Sequence, residues 1–522
     1  MDTVRPSGNE LLEGGGGGGS VRSAGLGVLS VLSDQLLVEV LSYLPGEALF
    51  TLSAVSRALY AFSCYEDLWR TLVLSEYKGD FTYFFSWRST FAACRGSAFH
   101  AARAGGAAAH ARGIYSDLLH HAHRCASARV EGPWLAFDNL PRFSGCPGVA
   151  EFEAQWEGPN LPCVLKGAAA GRWPGFEAGA WSAQALEASY GRLAFHCAGF
   201  SMTLAAYLRY CSHSSEDNPL YLFDKEFAVK VPALGTYCVP EVFGKGRDLF
   251  EVLGEGARPD YRWLIIGGKK SGSVFHQDPN GTAAWNCCLQ GRKKWILVPP
   301  DMVPPGVWAA QDGSEVCVPL SVMEWLLQFY SWHAKARDKR NAAAGAARGG
   351  GAQAAEAAGS KRCRAGRPLG ATGGPAGAPL QMVYEGVVEA GDIVYVPRGW
   401  WHLVLNLEDV NVAVTQNFCS PLGLPHVLRF LREKPYAVSG VPQDQAASLH
   451  SRFLGALREH RPDLVPREEA KSGTAVRRWG DVVNHASSAG FSLTSLFSAP
   501  GGPPPSSAQP PSGVEEGDQG EE

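Results

Sequence analysis

The chain has 522 residues, with 47 basic against 51 acidic side chains, a formal net charge of −4 and 45% hydrophobic residues. Such a length accommodates roughly two to four domains, and so balanced a charge offers no nucleic-acid-like excess. Residues 1–19 have no apolar core behind a basic start, and no uninterrupted apolar run reaches the roughly 18 residues of a membrane span, so neither a secretory signal nor a membrane helix is expected. Thirteen scattered cysteines without a C-x-x-C pair fit reduced thiols better than a disulfide framework or zinc knuckle. The expectation is a soluble intracellular protein that is not secreted.

Residues 1–28 contain the run of six glycines at 14–19 and few large apolar residues, so they are expected to be disordered. Leu32, Leu36, Leu37, Val40, Leu41 and Leu44 then recur at three- and four-residue spacing, the stripe of an amphipathic helix. Ser33 or Asp34 can cap its start, and Pro45-Gly46 ends it. With Leu49, Leu52, Val55 and Leu59, followed by Leu68-Trp69 and Leu72, residues 29–75 read as three short helices around a buried tryptophan. Residues 76–113 read as a connector, rich in Ala, Gly, His and Arg toward its end. In residues 114–260 helical and extended patches alternate.

From residue 261 the texture changes. Segments 261–267, 283–289, 294–298, 392–396, 401–406 and 411–418 are short, rich in β-branched and aromatic residues, and separated by Gly, Pro and Asn. Many short strands without intervening helices favour a sandwich or jelly roll over alternating strands and helices. This β region, 261–425, is interrupted at 334–378 by an Ala-, Gly- and Arg-rich stretch expected to be a disordered surface insertion. The insertion holds nine Lys or Arg against Asp338 and Glu356, a composition that fits nuclear targeting or a weak nucleic-acid contact as well as a simple spacer. Residues 426–497 are expected to carry closing helices, at 427–432 and 449–459, and residues 498–522 a disordered acidic tail.

The chemistry concentrates in Ser273-Val-Phe-His276-Gln-Asp278-Pro279. On an extended chain, residues two apart face the same side, so His276 and Asp278 can offer an imidazole and a carboxylate to one ion. A histidine from a facing strand would complete a two-His, one-carboxylate set that suits Fe(II) and leaves three positions open. Composition alone supplies roughly one His-x-acid match by chance, so the surroundings carry the reading. They are Tyr261-Arg262-Trp263, Gly281-Thr-Ala-Ala-Trp285-Asn286, Gly291-Arg-Lys293-Lys-Trp295, then Gly391-Asp-Ile-Val-Tyr-Val-Pro397-Arg-Gly-Trp400-Trp401-His402, and finally Thr415-Gln-Asn417-Phe418. His120, His121, His123 and Cys125 mimic a second metal site, but on a helix His121 and His123 point apart.

These motifs, with Asn218-Pro-Leu-Tyr221-Leu-Phe-Asp224, resemble those of JmjC-domain oxygenases of the lysyl-hydroxylase and arginine-demethylase-like branch. The resemblance runs from about residue 115 to 465, and residues 299–306 and 325–330 are similar to plant-type JmjC proteins that also carry an F-box. It implies a double-stranded β-helix, the cupin-like jelly roll, within an α+β chain. It also implies Fe(II) held by His276, Asp278 and His402, with 2-oxoglutarate and O2 as cosubstrates. Lys293 and Ser273 fall where the family grips the far carboxylate of 2-oxoglutarate; Tyr221, Asn286 and Thr415 line that cosubstrate, and Asn417 stands near the metal. Ser273 departs from the more common Thr. The implied activity is hydroxylation or N-demethylation of Lys or Arg side chains of proteins, histones included, in the nucleus and also the cytoplasm. Residues 32–49 with Val55-Ser56-Arg57 and Leu68-Trp69 resemble an F-box, which implies docking of a Skp-type adaptor and its cullin. A ubiquitin-ligase adaptor that binds targets without turnover is the alternative.

Overall fold

The computed structural model of the chain describes residues 4–12, 21–96, 110–310, 316–349 and 380–465. Capping fixes where the amino-terminal helices begin. Ser33, Ser56 and Ser86 each accept a backbone N–H three residues on, at the starts of helices Asp34–Ser42, Arg57–Ser63 and Trp87–Cys94. Helices Gly46–Leu52 and Glu66–Glu76 complete the module, so the expected three helices are in fact four between residues 34 and 76, and a fifth packs on them. The core is aromatic: Trp69 is fully buried, donates its indole N–H to Ser63 O at 2.7 Å, and packs on Phe50 and Phe91 at 4.5 and 5.3 Å. Gly46 has no room for a side chain, because a Cβ there would meet the Phe91 ring at 2.3 Å. Only part of the leucine stripe faces inward: Leu37 and Leu41 are buried, while Leu36, Val40 and Tyr43 are exposed.

Two expectations of disorder are corrected. Within residues 1–28, Arg5–Gly8 forms a strand, β1, that pairs in parallel with β2, His110–Tyr115, at the end of the expected connector. Helix Val21–Leu26 follows β1 and buries Leu26. The polar β1 segment carries no local signal of a strand because its partner lies about a hundred residues away, whereas the helix is tied down by Arg22 to Asp34 and by Ser56 to Gly25 O.

Strands β3 (Arg142–Ser144), β4 (Cys163–Lys166), β5 (Ala194–Cys197), β6 (Phe200–Thr203) and β7 (Tyr221–Asp224) come next. They are followed by β8 (Arg262–Gly267), β9 (Gly272–His276), β10 (Ala283–Gln290), β11 (Arg292–Val298) and the short pair β12 (Trp308–Ala309) and β13 (Val316–Cys317). The last are β14 (Tyr384–Glu389), β15 (Ile393–Val396), β16 (Trp401–Asn406) and β17 (Asn411–Phe418). One sheet runs β3-β4-β15-β10-β17-β8-β7-β5-β6 and the other β14-β11-β16-β9. Consecutive strands cross between them: β8 to β9, β10 to β11, β14 to β15 and β16 to β17 each change sheet. That alternation is the double-stranded β-helix. Between the sheets pack Ala284, Trp295, Leu297, Val394, Trp400 and Val404.

The segment expected as a disordered insertion is also corrected in its first part. Helix Val322–Gly349 runs through residues 334–349 and closes the outer face of the small sheet. Arg337 pairs with Glu385 at 2.6 Å, Arg340 with Asp301 at 2.7 Å, and Asn341 exchanges two hydrogen bonds with the Val383 backbone. Ala and Arg are strong helix formers, and here they extend a helix already nucleated by the apolar residues before them. Residues 350–378 lie outside the described residues, as do 13–20 and everything from 466 onward. Helices Leu424–Glu433 and Leu449–His460 stand where closing helices were expected.

Candidate metal and cosubstrate site

β9 and β16 are antiparallel neighbours, and His276 and His402 are Cα partners across them. Directly opposed residues project from the same face, and the two imidazoles lie 4.1 Å apart between ring centroids. Between His276 and Ser273, β9 spends three residues where β16 spends two, from His402 to Val404. This bulge lets Ser273 and His276 share the inner face despite their odd spacing. β9 ends at His276, so Asp278 is presented by the turn after the strand rather than by the strand itself. Asn280 and Gly281 make that turn with φ of 57° and 68°.

The ligand atoms of His276, Asp278 and His402 all lie within 4.8 Å of one another, the only such group among the described residues. His276 Nδ1 lies 2.8 Å from Val274 O, and His402 Nδ1 lies 3.2 Å from Trp400 O. With Nδ1 donating to these carbonyls, both Nε2 lone pairs are left for an ion. Asp278 Oδ2 is buried with no hydrogen-bond partner, which fits a carboxylate built to face a cation. Burial raises the Asp278 pKa against the pull of His276 and Asn417. Burial, joined by the neighbouring His276, pushes His402 well down, which keeps its imidazole neutral. Two imidazoles and a carboxylate form a donor set that fits Fe(II).

Deeper between the sheets, Lys293 is 1% exposed, and its ammonium makes no ion pair or hydrogen bond among the described residues. A buried unpaired ammonium calls for an anion. Around it, Asn286 on β10 is Cα partner of Thr415 on β17, and the Asn286 Oδ1 is buried without a partner. Ser273 faces the same space from β9, and the Tyr221 ring abuts Gly267, where a Cβ would meet it at 2.6 Å. Thr415 is committed otherwise: its hydroxyl donates to Trp285 O at 2.8 Å, leaving only lone pairs for a ligand. Asn417 donates to Thr282 Oγ1 at 3.0 Å and also steadies Asp278.

Two residues of this space were not singled out from sequence. Asn406 is fully buried, is Cα partner of Lys293, and donates to Ser271 Oγ at 2.9 Å, with its Oδ1 left over. Its place two and four residues after Val404 and His402 on one strand face was the available signal. Gln277, between the two ligands, donates to Gly399 O at 2.6 Å and ties the β9 turn to the one before β16. The segment with His120, His121, His123 and Cys125 is the helix Asp117–Ser127, on which His121 contacts Cys125 at 3.6 Å and Glu324 at 3.5 Å.

Over 478 residues, spanning 91% of this chain and 84% of the relative, the sequence is 39% identical to "Arginine-specific demethylase JMJ22" of Arabidopsis thaliana. The chain belongs to the JmjC family. It is a 2-oxoglutarate-dependent dioxygenase that uses Fe(II), 2-oxoglutarate and O2. This JmjC oxygenase is also 29% identical over 330 residues to "Bifunctional arginine demethylase and lysyl-hydroxylase psr-1" of Caenorhabditis elegans, covering 61% of this chain and 67% of that one. To "2-oxoglutarate and iron-dependent oxygenase JMJD4" of Homo sapiens it is 26% identical over 328 residues, 58% and 66% of the two chains. An F-box-like family model matches residues 34–75 of the JmjC chain, the helices around Trp69.

Proposed function

We propose that this oxygenase hydroxylates or N-demethylates Lys or Arg side chains of proteins, histones included, at His276, Asp278 and His402. The observation that carries the reading is the convergence of two Nε2 atoms and an orphaned Asp278 Oδ2, with a buried, unpaired Lys293 deeper in the same space. His276 and His402, locked by the Val274 and Trp400 carbonyls, would hold the iron with Asp278. Lys293 would take the far carboxylate of 2-oxoglutarate through a charge-assisted hydrogen bond, with Ser273 and Asn286 beside it. Trp295, stacked 6.0 Å from His402, and Trp400 keep bulk water from the metal end. Bound iron with 2-oxoglutarate and O2 supplies oxidative decarboxylation to succinate and CO2, leaving one oxygen atom for a substrate C–H bond. A hydroxylated methylene stays an alcohol, whereas a hydroxylated N-methyl group expels formaldehyde. Relatives named for arginine demethylation and lysyl hydroxylation support this substrate class. The test is succinate release with Fe(II), ascorbate and a panel of Lys- and methyl-Arg-containing peptides, read with mass spectrometry of the product. Peptide-dependent turnover lost in His276→Ala is expected; no peptide-dependent turnover across the panel would refute the substrate class.

A second reading concerns the F-box-like module. Its helix Asp34–Ser42 leaves Leu36 and Val40 exposed, with Tyr43 just beyond its end, and this face is proposed to dock a Skp-type adaptor of a cullin ligase. Leu41 is buried, so a charge there would test folding; Leu36→Glu with Val40→Glu is the informative variant. Capture of the adaptor and cullin by the wild type, lost in that variant, is expected, and no capture by the wild type would refute it.

A further inference from the structure

The triad lies at one end of the space between the sheets. Leu297 on β11 is the partner of His402, and Lys293 sits four residues away on the same strand, so about 13 Å of strand separates metal ligands from the cosubstrate anchor. Beyond the triad in the other direction is a rim built by the turns at residues 277–281 and 397–400, clipped together by Gln277. A third element joins them. On helix Leu424–Glu433, His426 and Phe430 lie against Gly281, where a Cβ would meet them at 3.0 and 3.2 Å. After that helix, Ser439 exchanges two hydrogen bonds with the Asn280 side chain, at 3.0 and 3.1 Å.

These elements deliver cations to one place. Arg398 comes from the turn before β16, and Arg429 and Lys434 come from the helix and its end. Arg429 Nη2 lies 3.2 Å from His426 Nδ1, and Lys434 Nζ lies 6.0 Å from the Phe430 ring. Among the described residues none of the three makes an ion pair with a carboxylate. Of the acids on surrounding elements, Glu433 is engaged by Arg432 and Asp260 by Lys225, while buried Glu157 is paired with Arg247 and also feels the charge of Arg398. His426 itself is pushed down to about 4 by burial and then by Arg429, Arg398 and Lys434, so it stays neutral near pH 7.

Arg429 and Lys434, with no carboxylate paired to them among the described residues, set the field that an incoming chain meets at this rim. We propose that the polypeptide oxidised at this site carries acidic residues beside its target side chain, which pair with Arg429 and Lys434. The proposal rests on the protein-substrate reading above and adds its sequence context. A uniformly basic flank meets repulsion at the rim, and an acidic flank meets two partners.

The test uses the full chain loaded with Mn(II) and 2-oxoglutarate and three fluorescent peptides that share a central Lys or Arg, flanked by Glu, Gln or Lys. Anisotropy titration at low salt is expected to rank them Glu, then Gln, then Lys, with about tenfold between the first two, shrinking to about twofold in high salt. Arg429→Glu with Lys434→Glu is expected to invert the order. Should circular dichroism show that variant unfolded, Arg429→Gln with Lys434→Gln is expected to abolish the preference instead. Equal binding of Glu- and Gln-flanked peptides by the wild type, or a preference that survives in a folded variant, overturns the proposal. Tight binding of single-stranded RNA that depends on the same residues, without any peptide preference, also overturns it, in favour of a nucleic acid. Succinate release measured in parallel keeps the two readings apart: preference without turnover counts against protein oxidation, and turnover without preference counts against the rim.

Discussion

Glu385 on β14 is fully buried beneath the small sheet and meets three basic side chains: Lys294 at 2.9 Å, Arg337 at 2.6 Å and His333 at 3.0 Å. Burial acts to raise its pKa, but the hydrogen bond from His333 and the charges of Lys294 and Arg337 outweigh it and hold the carboxyl at about 2, against 4.5 when free. That depression corresponds to about 3 kcal/mol. Lys294 fares differently: its own burial lowers its pKa more than Glu385 restores it, so about 3 kcal/mol is an upper value for the group. Because the folded pKa is the lower one, the stabilisation is present above pH 4.5 and is lost as the pH falls toward 2. Glu385→Gln removes the charge and leaves Lys294 with the Phe137 carbonyl at 2.8 Å, an uncompensated buried cation that typically costs about 3 kcal/mol or more. In thermal unfolding at pH 7 the variant is expected to melt roughly 5 °C below the wild type, with the gap closing as the pH approaches 3. Faster amide exchange in helix Val322–Gly349 should accompany it, since Arg337 and His333 both lie there. Melting within a degree of the wild type at pH 7, or a gap that persists unchanged at pH 3, would refute this reasoning.

The remaining expectations concern the site and the module junction. Lys293→Met should weaken 2-oxoglutarate binding about 10- to 100-fold while leaving Mn(II) affinity near that of the wild type; calorimetry reads both, and unchanged cosubstrate affinity contradicts the assignment. Gln277→Ala removes the 2.6 Å clip to Gly399 O and should cost about tenfold in metal affinity, as loss of an orienting partner does elsewhere; an unaltered Co(II) titration counts against it. Glu216, reached by the indole of Trp87 and the hydroxyl of Tyr210, is raised from 4.5 to about 7 by burial, with Arg70 opposing. Its folded pKa is the higher one, so stability falls between pH 4.5 and 7 and stays reduced above. Glu216→Gln should therefore melt higher than the wild type at pH 8 and close to it at pH 4.5, and the reverse trend in a pH series of melting temperatures rejects the idea.

How much was legible follows from where each partner sits in the chain. His276, Asp278 and His402 could be found because the ligands themselves are rare residue types in short, recognisable surroundings, and the strands that carry them alternate cleanly. The bulge that turns Ser273 inward leaves no mark on the sequence, since a bulge is set by the strand opposite. Lys293 and Lys294 are adjacent and identical in type, yet one faces the cosubstrate space unpaired and the other ends on Glu385; strand alternation separates their faces, but nothing local says which face holds an acid. The same limit explains the segment after residue 334. Its composition resembles a spacer, and what orders it is contributed by Asp301, Val383 and Glu385, each roughly 40 or more residues from its partner. Those contacts hold a helix flat against the back of β11, β16 and β9, the strands that carry Lys293, His402 and His276. The Ala- and Arg-rich stretch is therefore joined to the outer side of the metal-bearing sheet through Arg337 and Glu385 on β14.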